Sequence, residues 1–454
     1  MAGDSTMKAK LVAEGLGTFV LLLSVGCNVL SKNATWGSTS IGMTLMVMIY
    51  AFGGISGGHF NPAVSFCLAL SKAMGGPGVA FKDAGMYSIV QIVAGILGAI
   101  TYTLLYKSTF NLTPAPGFSW IDAALCEVSY TCMLCFVVLN VACAKGNANN
   151  RFYGLAIGFV VIAAGAYGAG MVSGGVFNPA VAFGVDLSSL ALGFGWCIAY
   201  TIFELIGAVL AVILFKVVRP EDFGGEAGSL ASVLASEFLG TMMLMLTAGL
   251  NVMGRAPDGA FSIAASLMCM IYALGGVSGA HFNPAVTAAI FVSGRDPSLT
   301  MDKAGKYVAS QILGSMGGAL IYSSIYNGAS FRLGPGAGHG YLDVIVAEVL
   351  FTFVLCTVVL TVAVSKTTAD PTMFGLAIAS CVTLGVNAIG AISGGSLNPA
   401  VSLGIATAHH FRDGSFVAAV IYCIAELAAG CAAAAAYSVT HAVDKASEKI
   451  EESA

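Results

Sequence analysis

Twelve stretches of apolar sequence, each long enough to cross a bilayer, govern what this chain can fold into. They lie at roughly 10–30, 39–55, 83–106, 120–144, 152–172 and 193–218, then at 229–253, 260–277, 304–326, 341–364, 373–392 and 414–440. A segment in hydrocarbon must satisfy its own backbone hydrogen bonds, and for runs of this length that means a helix. Of the 454 residues, 57% are hydrophobic and only 9% charged, where a soluble domain carries about 25% charged residues. The first stretch reads as a span rather than a cleavable leader. No basic patch offers itself to nucleic acid. The polar, glycine-containing segment 219–226 separates two sets of six spans, giving expected domains 1–222 and 223–454.

A short motif punctuates these spans four times: Asn61-Pro62-Ala63-Val64, Asn178-Pro179-Ala180-Val181, Asn283-Pro284-Ala285-Val286 and Asn398-Pro399-Ala400-Val401. Asn before Pro predicts an N-cap with proline in the first helical position. The apolar piece that follows each copy, such as residues 63–71, is too short to span. These four pieces are expected to be re-entrant half-helices.

Two repeats are superimposed. The halves match in Glu14 with Glu237, Asn61 with Asn283, Gln91 with Gln311, Glu127 with Glu348, Asn178 with Asn398, and Glu204 with Glu426. Within each half a three-span unit also recurs, marked by Tyr87 and Gln91, Tyr200 and Glu204, Tyr307 and Gln311, and Tyr422 and Glu426. An odd number of spans turns each consecutive unit upside down, so these are inverted repeats. The expected architecture is an all-α membrane protein with twelve transmembrane helices and four half-helices, in two six-helix units. With both termini cytoplasmic, only Lys32, Lys107, Arg255, Arg332 and Arg412 of the 19 basic residues fall outside, as the positive-inside rule favours. Residues 444–454 read as a charged cytoplasmic tail.

Inverted repeats bring two half-helix N-termini together at mid-membrane. Each carries about half a positive charge and unpaired N–H groups, so the pair opposes cations. The Asn side chains offer donors to a passing oxygen, and a water held this way breaks a proton wire.

The chain resembles the aquaporin, or major intrinsic protein, family. The paired Asn-Pro-Ala motifs, the first copy Ser56-Gly57-Gly58-His59-Phe60-Asn61-Pro62-Ala63-Val64 and the opening Ala13-Glu14 with Gly17-Thr18-Phe19 carry the likeness from about residue 8 to 440. One family unit holds two Asn-Pro-Ala motifs, so the resemblance implies two pores fused head to tail. It also implies a homodimer completing a ring of four pores. Glu14, Glu127, Glu237 and Glu348 become buried carboxylates that hold the loop backbone. His59 and His281 become loop hydrogen-bonding groups, with a pH gate as the alternative. Glu204 and Glu426 depart from the family pattern; they read as structural groups, protonated or bonded to a loop, with a proton-coupled role as the alternative.

The filter departs further. By the family's positions it comprises Ile41, Ala166, Gly175 and Val181 in the first pore and Ile263, Val386, Gly395 and Val401 in the second. Typical members place Arg directly after the second Asn-Pro-Ala, where this chain has Val181 and Val401. A unit charge about 5 Å from a permeant ion is worth roughly 3 kcal/mol at an effective dielectric near 20, so part of the cation barrier is gone. The resemblance then implies a passive channel for water and small neutral solutes such as glycerol, urea, ammonia and hydrogen peroxide, with Ala166 leaving the first pore roomier than Val386 leaves the second. No cofactor or metal is expected. The twelve Cys lie almost wholly in apolar segments and read as small hydrophobes. Nested repeats also suit a secondary transporter, and the scaffold could serve a non-conducting junction protein. Four retained Asn residues and the lack of paired intramembrane charges argue against both. Nothing resembles a nucleophile with its base, so an enzyme is not expected.

Overall fold

The computed structural model of the chain describes residues 5–147, 150–257, 259–410 and 416–442, with Ala166 and Tyr167 described by backbone alone. Arg412, Lys445, Lys449 and the tail 444–454 lie outside the described residues. The first half forms α1 (Met7–Leu30), α2 (Gly37–Ser56), α3 (Pro62–Ala73), α4 (Phe81–Tyr106), α5 (Trp120–Val138), α6 (Tyr153–Ala164), α7 (Gly170–Ser173), α8 (Pro179–Ser188) and α9 (Trp196–Val218). The second forms α10 (Leu230–Met253), α11 (Gly259–Ser278), α12 (Pro284–Ser293), α13 (Met301–Ile325), α14 (Tyr341–Val359), α15 (Phe374–Ser393), α16 (Pro399–His410) and α17 (Val417–Thr440). Among the described residues there is no strand.

Among the described residues, eleven helices are long and apolar enough to cross a membrane, counting the π-helical turns that extend α5 to Cys143 and α14 to Val364. The stretch expected at 152–172 is not one regular helix. It runs as α6, then a π-helical turn Gly165–Ala169, then α7. Its repeat partner α15 is uninterrupted over 20 residues. The sequence supplies the reason. Between the shared Gly-Leu-Ala-Ile string and the following Asn, the first copy (Gly154 to Asn178) holds one residue more than the second (Gly375 to Asn398). A π turn absorbs a single inserted residue without breaking the helix.

The described residues cluster into two compact units, Met1–Ser232 with Gly254–Gly276, and Val233–Met253 with Val277–Ala454. The same pairings recur in both. In the first, α5 packs on α9, α4 on α8 and α3 on α9; in the second, α14 packs on α17, α13 on α16 and α12 on α17.

Helix α11 repeats α2 in sequence yet is packed into the first unit, against α6. Tyr272 stacks on Phe152 with ring centroids 4.1 Å apart, and Phe261 meets Phe159 edge-on. Ser262 donates to the Ala163 carbonyl at 2.9 Å and Cys269 to that of Ala156 at 3.1 Å. Buried Arg219 closes one end of this contact, donating from Nε to Asn140 Oδ1 at 2.7 Å and from Nη2 to the Ala273 carbonyl at 3.1 Å. Burial pulls the guanidinium's pKa down while Glu221 and Asp222 push it back up, and an arginine stays charged throughout.

Candidate functional site

Each Asn-Pro-Ala begins a short helix as its residues dictate. Asn61, Asn178, Asn283 and Asn398 cap α3, α8, α12 and α16, their Oδ1 atoms accepting from the amides of Ala63, Ala180, Ala285 and Ala400 at 2.8–3.0 Å. These four helices hold 12, 10, 10 and 12 residues.

The residue before each Asn is left-handed: Phe60 at φ 49°, Phe177 at 51°, Phe282 at 49° and Leu397 at 54°. A bulky residue there costs roughly 1–2 kcal/mol. What the strain achieves is visible in the carbonyls. Asn61 Nδ2 donates to the Phe177 carbonyl at 2.8 Å, and Asn178 Nδ2 returns the bond to the Phe60 carbonyl at 2.9 Å. In the second unit Asn283 donates to Leu397 at 2.8 Å and Asn398 to Phe282 at 2.9 Å. Each Asn therefore spends its oxygen and one amide hydrogen on the framework. One amide hydrogen per Asn is left outside these framework bonds.

Buried carboxylates hold the backbone behind these bonds. Glu14 accepts from the Ser56 hydroxyl at 2.6 Å, the His59 and Phe60 amides at 3.0 and 2.7 Å, and Gln91 Nε2 at 2.7 Å. Glu237 does the same for Ser278, His281, Phe282 and Gln311. Glu127 accepts from Ser173, Val176 and Phe177, and Glu348 from Ser393, Ser396 and Leu397, at 2.6–3.1 Å. Behind the second loop of each unit stands a further acid. Glu204 Oε1 accepts from the Asn178 amide at 2.7 Å, and Glu426 Oε1 from the Asn398 amide at 2.9 Å. The repeated tyrosines pin the same turns: Tyr87, Tyr200, Tyr307 and Tyr422 donate to the carbonyls of Ser56, Ser173, Ser278 and Ser393. Neither the serines nor the carbonyls of Phe60, Phe177, Phe282 and Leu397 are singled out by sequence reasoning. The serines carried a signal, recurring at one place in all four copies; a backbone carbonyl has none.

His59 Nδ1 lies 3.0 Å from Ser65 Oγ and His281 Nδ1 3.1 Å from Thr287 Oγ1, so both rings are tied into their own loops. In the first unit a cavity of about 130 Å³ is lined by both Asn61 and Asn178, by Ile41, Gly175 and Val181, and by aliphatic side chains including Leu21, Leu134, Ile157 and Val185. His59 is its one titratable lining residue. Ala166 falls in the π turn, and its side chain lies outside the described residues. In the second unit Gly395 packs against Val386, where a Cβ would come 3.0 Å from the Val386 Cα, and Val401 is buried on α16. Ile263 is buried on α11, in the first unit.

The family model described as major intrinsic protein matches residues 2–215, 160–253 and 226–437. Putative aquaporin NIP4-1 of Arabidopsis thaliana is 30% identical over 225 residues, 47% of this chain and 75% of its own length. Glycerol uptake facilitator protein-like 6 of Lactiplantibacillus plantarum is 32% identical over 227 residues, 47% of this chain and 99% of its own. Among solved structures, the aquaglyceroporin from Plasmodium falciparum aligns over 46% of this chain and 96% of its own, with TM-score 0.41 and 19% identity. Matched over each half by one family model, this multi-pass membrane chain belongs to the major intrinsic protein family, as a tandem of two family units.

Proposed function

We propose that each half of the chain is a passive pore for water and small neutral solutes, among them glycerol, urea, ammonia and hydrogen peroxide. One observation carries the reading. The cavity that both capping Asn residues line also takes in Ile41, Gly175 and Val181 and has no Lys, Arg, Asp or Glu among its described lining residues. Such a wall sets no fixed side-chain charge against a passing solute, and Asn61 and Asn178 present donors at the Asn-Pro-Ala waist. Water and uncharged solutes pass down their gradients; cations meet two helix N-termini. The filter sets Ile41, Ala166, Gly175 and Val181 in the first pore against Val386, Gly395 and Val401 in the second, so the first admits the larger solutes.

In this reading twelve spans and four half-helices build two inverted-repeat units, with α6, its π turn and α7 together making the fifth span. Both termini and the 219–226 linker face the cytoplasm. A second chain completes the assembly. Cys269 and Tyr272 of α11, which meet α6, correspond in α2 to Val47 and Tyr50, exposed by 47% and 44%. Phe159 and Ala163 of α6 correspond in α15 to exposed Ser380 and Leu384, one turn from exposed Asn387. Polar side chains on the open face of a spanning helix are unsuited to lipid. A partner's α2 and α15 cover both faces as α11 and α6 cover each other. Stopped-flow permeability of proteoliposomes to water and to each solute tests the pore, and absence of flux above protein-free vesicles would overturn it.

A further inference from the structure

The two loops of each unit share their serine, tyrosine and carboxylate supports but differ in the residue four after that tyrosine. Behind the first loop stands an amide: Gln91 Nε2 donates to Glu14 at 2.7 Å and Ser65 at 3.2 Å, and Gln311 donates to Glu237 at 2.8 Å and Thr287 at 2.9 Å. Behind the second loop the repeat substitutes an acid, Glu204 or Glu426. Each takes the backbone amide of the capping Asn, the first free N–H at the positive end of α8 or α16. Both acids are fully buried. Glu204 Oε2 has no partner among the described residues, while Glu426 has the Ser402 hydroxyl at 3.3 and 3.5 Å from its two oxygens.

Asn178 lines the cavity, so Glu204 stands one residue behind the wall, at the helix end that opposes cations. Facing it are Glu127 and Cys135 from α5, with Cys67 of α3 beside Cys135, and Tyr200 on its own helix. Facing Glu426 are Glu348 and Cys356 from α14, with Tyr422 and Cys423 on its own helix; α12 brings no titratable side chain. No basic group is among them, and Val181 and Val401 supply none. A helix end presents about half a positive charge, which one carboxylate charge at the same place outweighs.

Resting on the pore reading above, we propose that Glu204 and Glu426 set the charge selectivity of the two pores. Protonated, each leaves the positive end of its half-helix in force against cations. Ionised, each cancels that end and admits small monovalent cations. The proton leaves as pH rises, so cation flux rises with pH while the flux of uncharged solutes stays level.

The test uses the full chain in liposomes, with potassium flux and osmotic water flux followed over one pH series. Wild type is expected to gain about thirtyfold in potassium flux from the acidic to the alkaline end, the scale set by a unit charge roughly 8 Å away at an effective dielectric near 20. Water flux should not change. The double variant E204Q/E426Q should hold the low acidic value throughout, because glutamine is the residue the chain itself uses at the repeat-related positions 91 and 311. A flat wild-type profile, which needs no variant, overturns the proposal, and so does a rise that persists in the double variant. Water flux present with flat potassium flux sinks this inference alone; water flux absent from wild type sinks the pore reading and this one with it.

Discussion

Asn61 and Asn178 hold each other's loops: each donates its side-chain amide to the carbonyl of the residue just before the other. Two helix N-termini that electrostatics would push apart are thereby clamped tip to tip. The clamp closes only because Phe60 and Phe177 adopt left-handed backbone that turns those carbonyls across the gap. Asn283 and Asn398 repeat the arrangement.

The clamp depends on room for the Phe60 ring. A Cβ on Gly17 would come 2.2 Å from that ring, whereas one on Gly54 meets nothing within 4 Å. Gly17→Val should cost about 1–3 kcal/mol, as overpacking does, and lower water flux through the first pore by displacing Phe60. Gly54→Ala should leave both stability and flux near wild type. Equal behaviour of the two variants in detergent melting and stopped-flow runs would count against the clamp.

Glu127 satisfies two backbone amides and a hydroxyl. Removing it strands two buried amides at about 1–3 kcal/mol each, while the Ser173 hydroxyl keeps the Ala169 carbonyl at 3.2 Å, so Glu127→Ala should lose about 2 kcal/mol or more. Glu127→Gln keeps one carbonyl acceptor and should lose less. Thermal inactivation half-lives of the purified chain would rank them, and an inverted ranking would refute the role.

Filter selectivity should respond to a restored cation. Val181→Arg with Val401→Arg is expected to cut glycerol and urea flux several-fold and to lower potassium flux by about tenfold or more, the scale of roughly 3 kcal/mol for a charge about 5 Å away. Water should be spared more than either. If wild type passes water but nothing larger, and the variants match it, other groups close the filter.

Assembly can be read by cross-linking. The Cys269 thiol of α11 reaches the Ala156 carbonyl of α6, and the corresponding positions on the open faces are Val47 and Ala377. A chain carrying V47C and A377C should oxidise to a covalent species of two chains, above the background of the wild-type cysteines. A single-chain detergent-corrected mass, or no gain in cross-linking, would rule that pairing out.

Much of the architecture was legible because local rules suffice in a membrane. A long apolar run in hydrocarbon has to be helical, and Asn before Pro caps a helix wherever it occurs. Glu14, Glu127, Glu237 and Glu348 recur at matched places in the repeat, and a buried charge demands a partner, so their tie to the loops could be anticipated. Tertiary structure alone decided the rest. The strained φ of Phe60, Phe177, Phe282 and Leu397 has no local preference behind it; it exists because a carbonyl must reach an amide more than a hundred residues away. The π turn at Gly165–Ala169 absorbs one residue that α15 lacks, and only packing against fixed neighbours determines where such an insertion is taken up. The seating of α11 on α6 was hidden for a similar reason. Its contacts are aromatic and small side chains that would face lipid equally well, and only the neighbouring helix made them an interface.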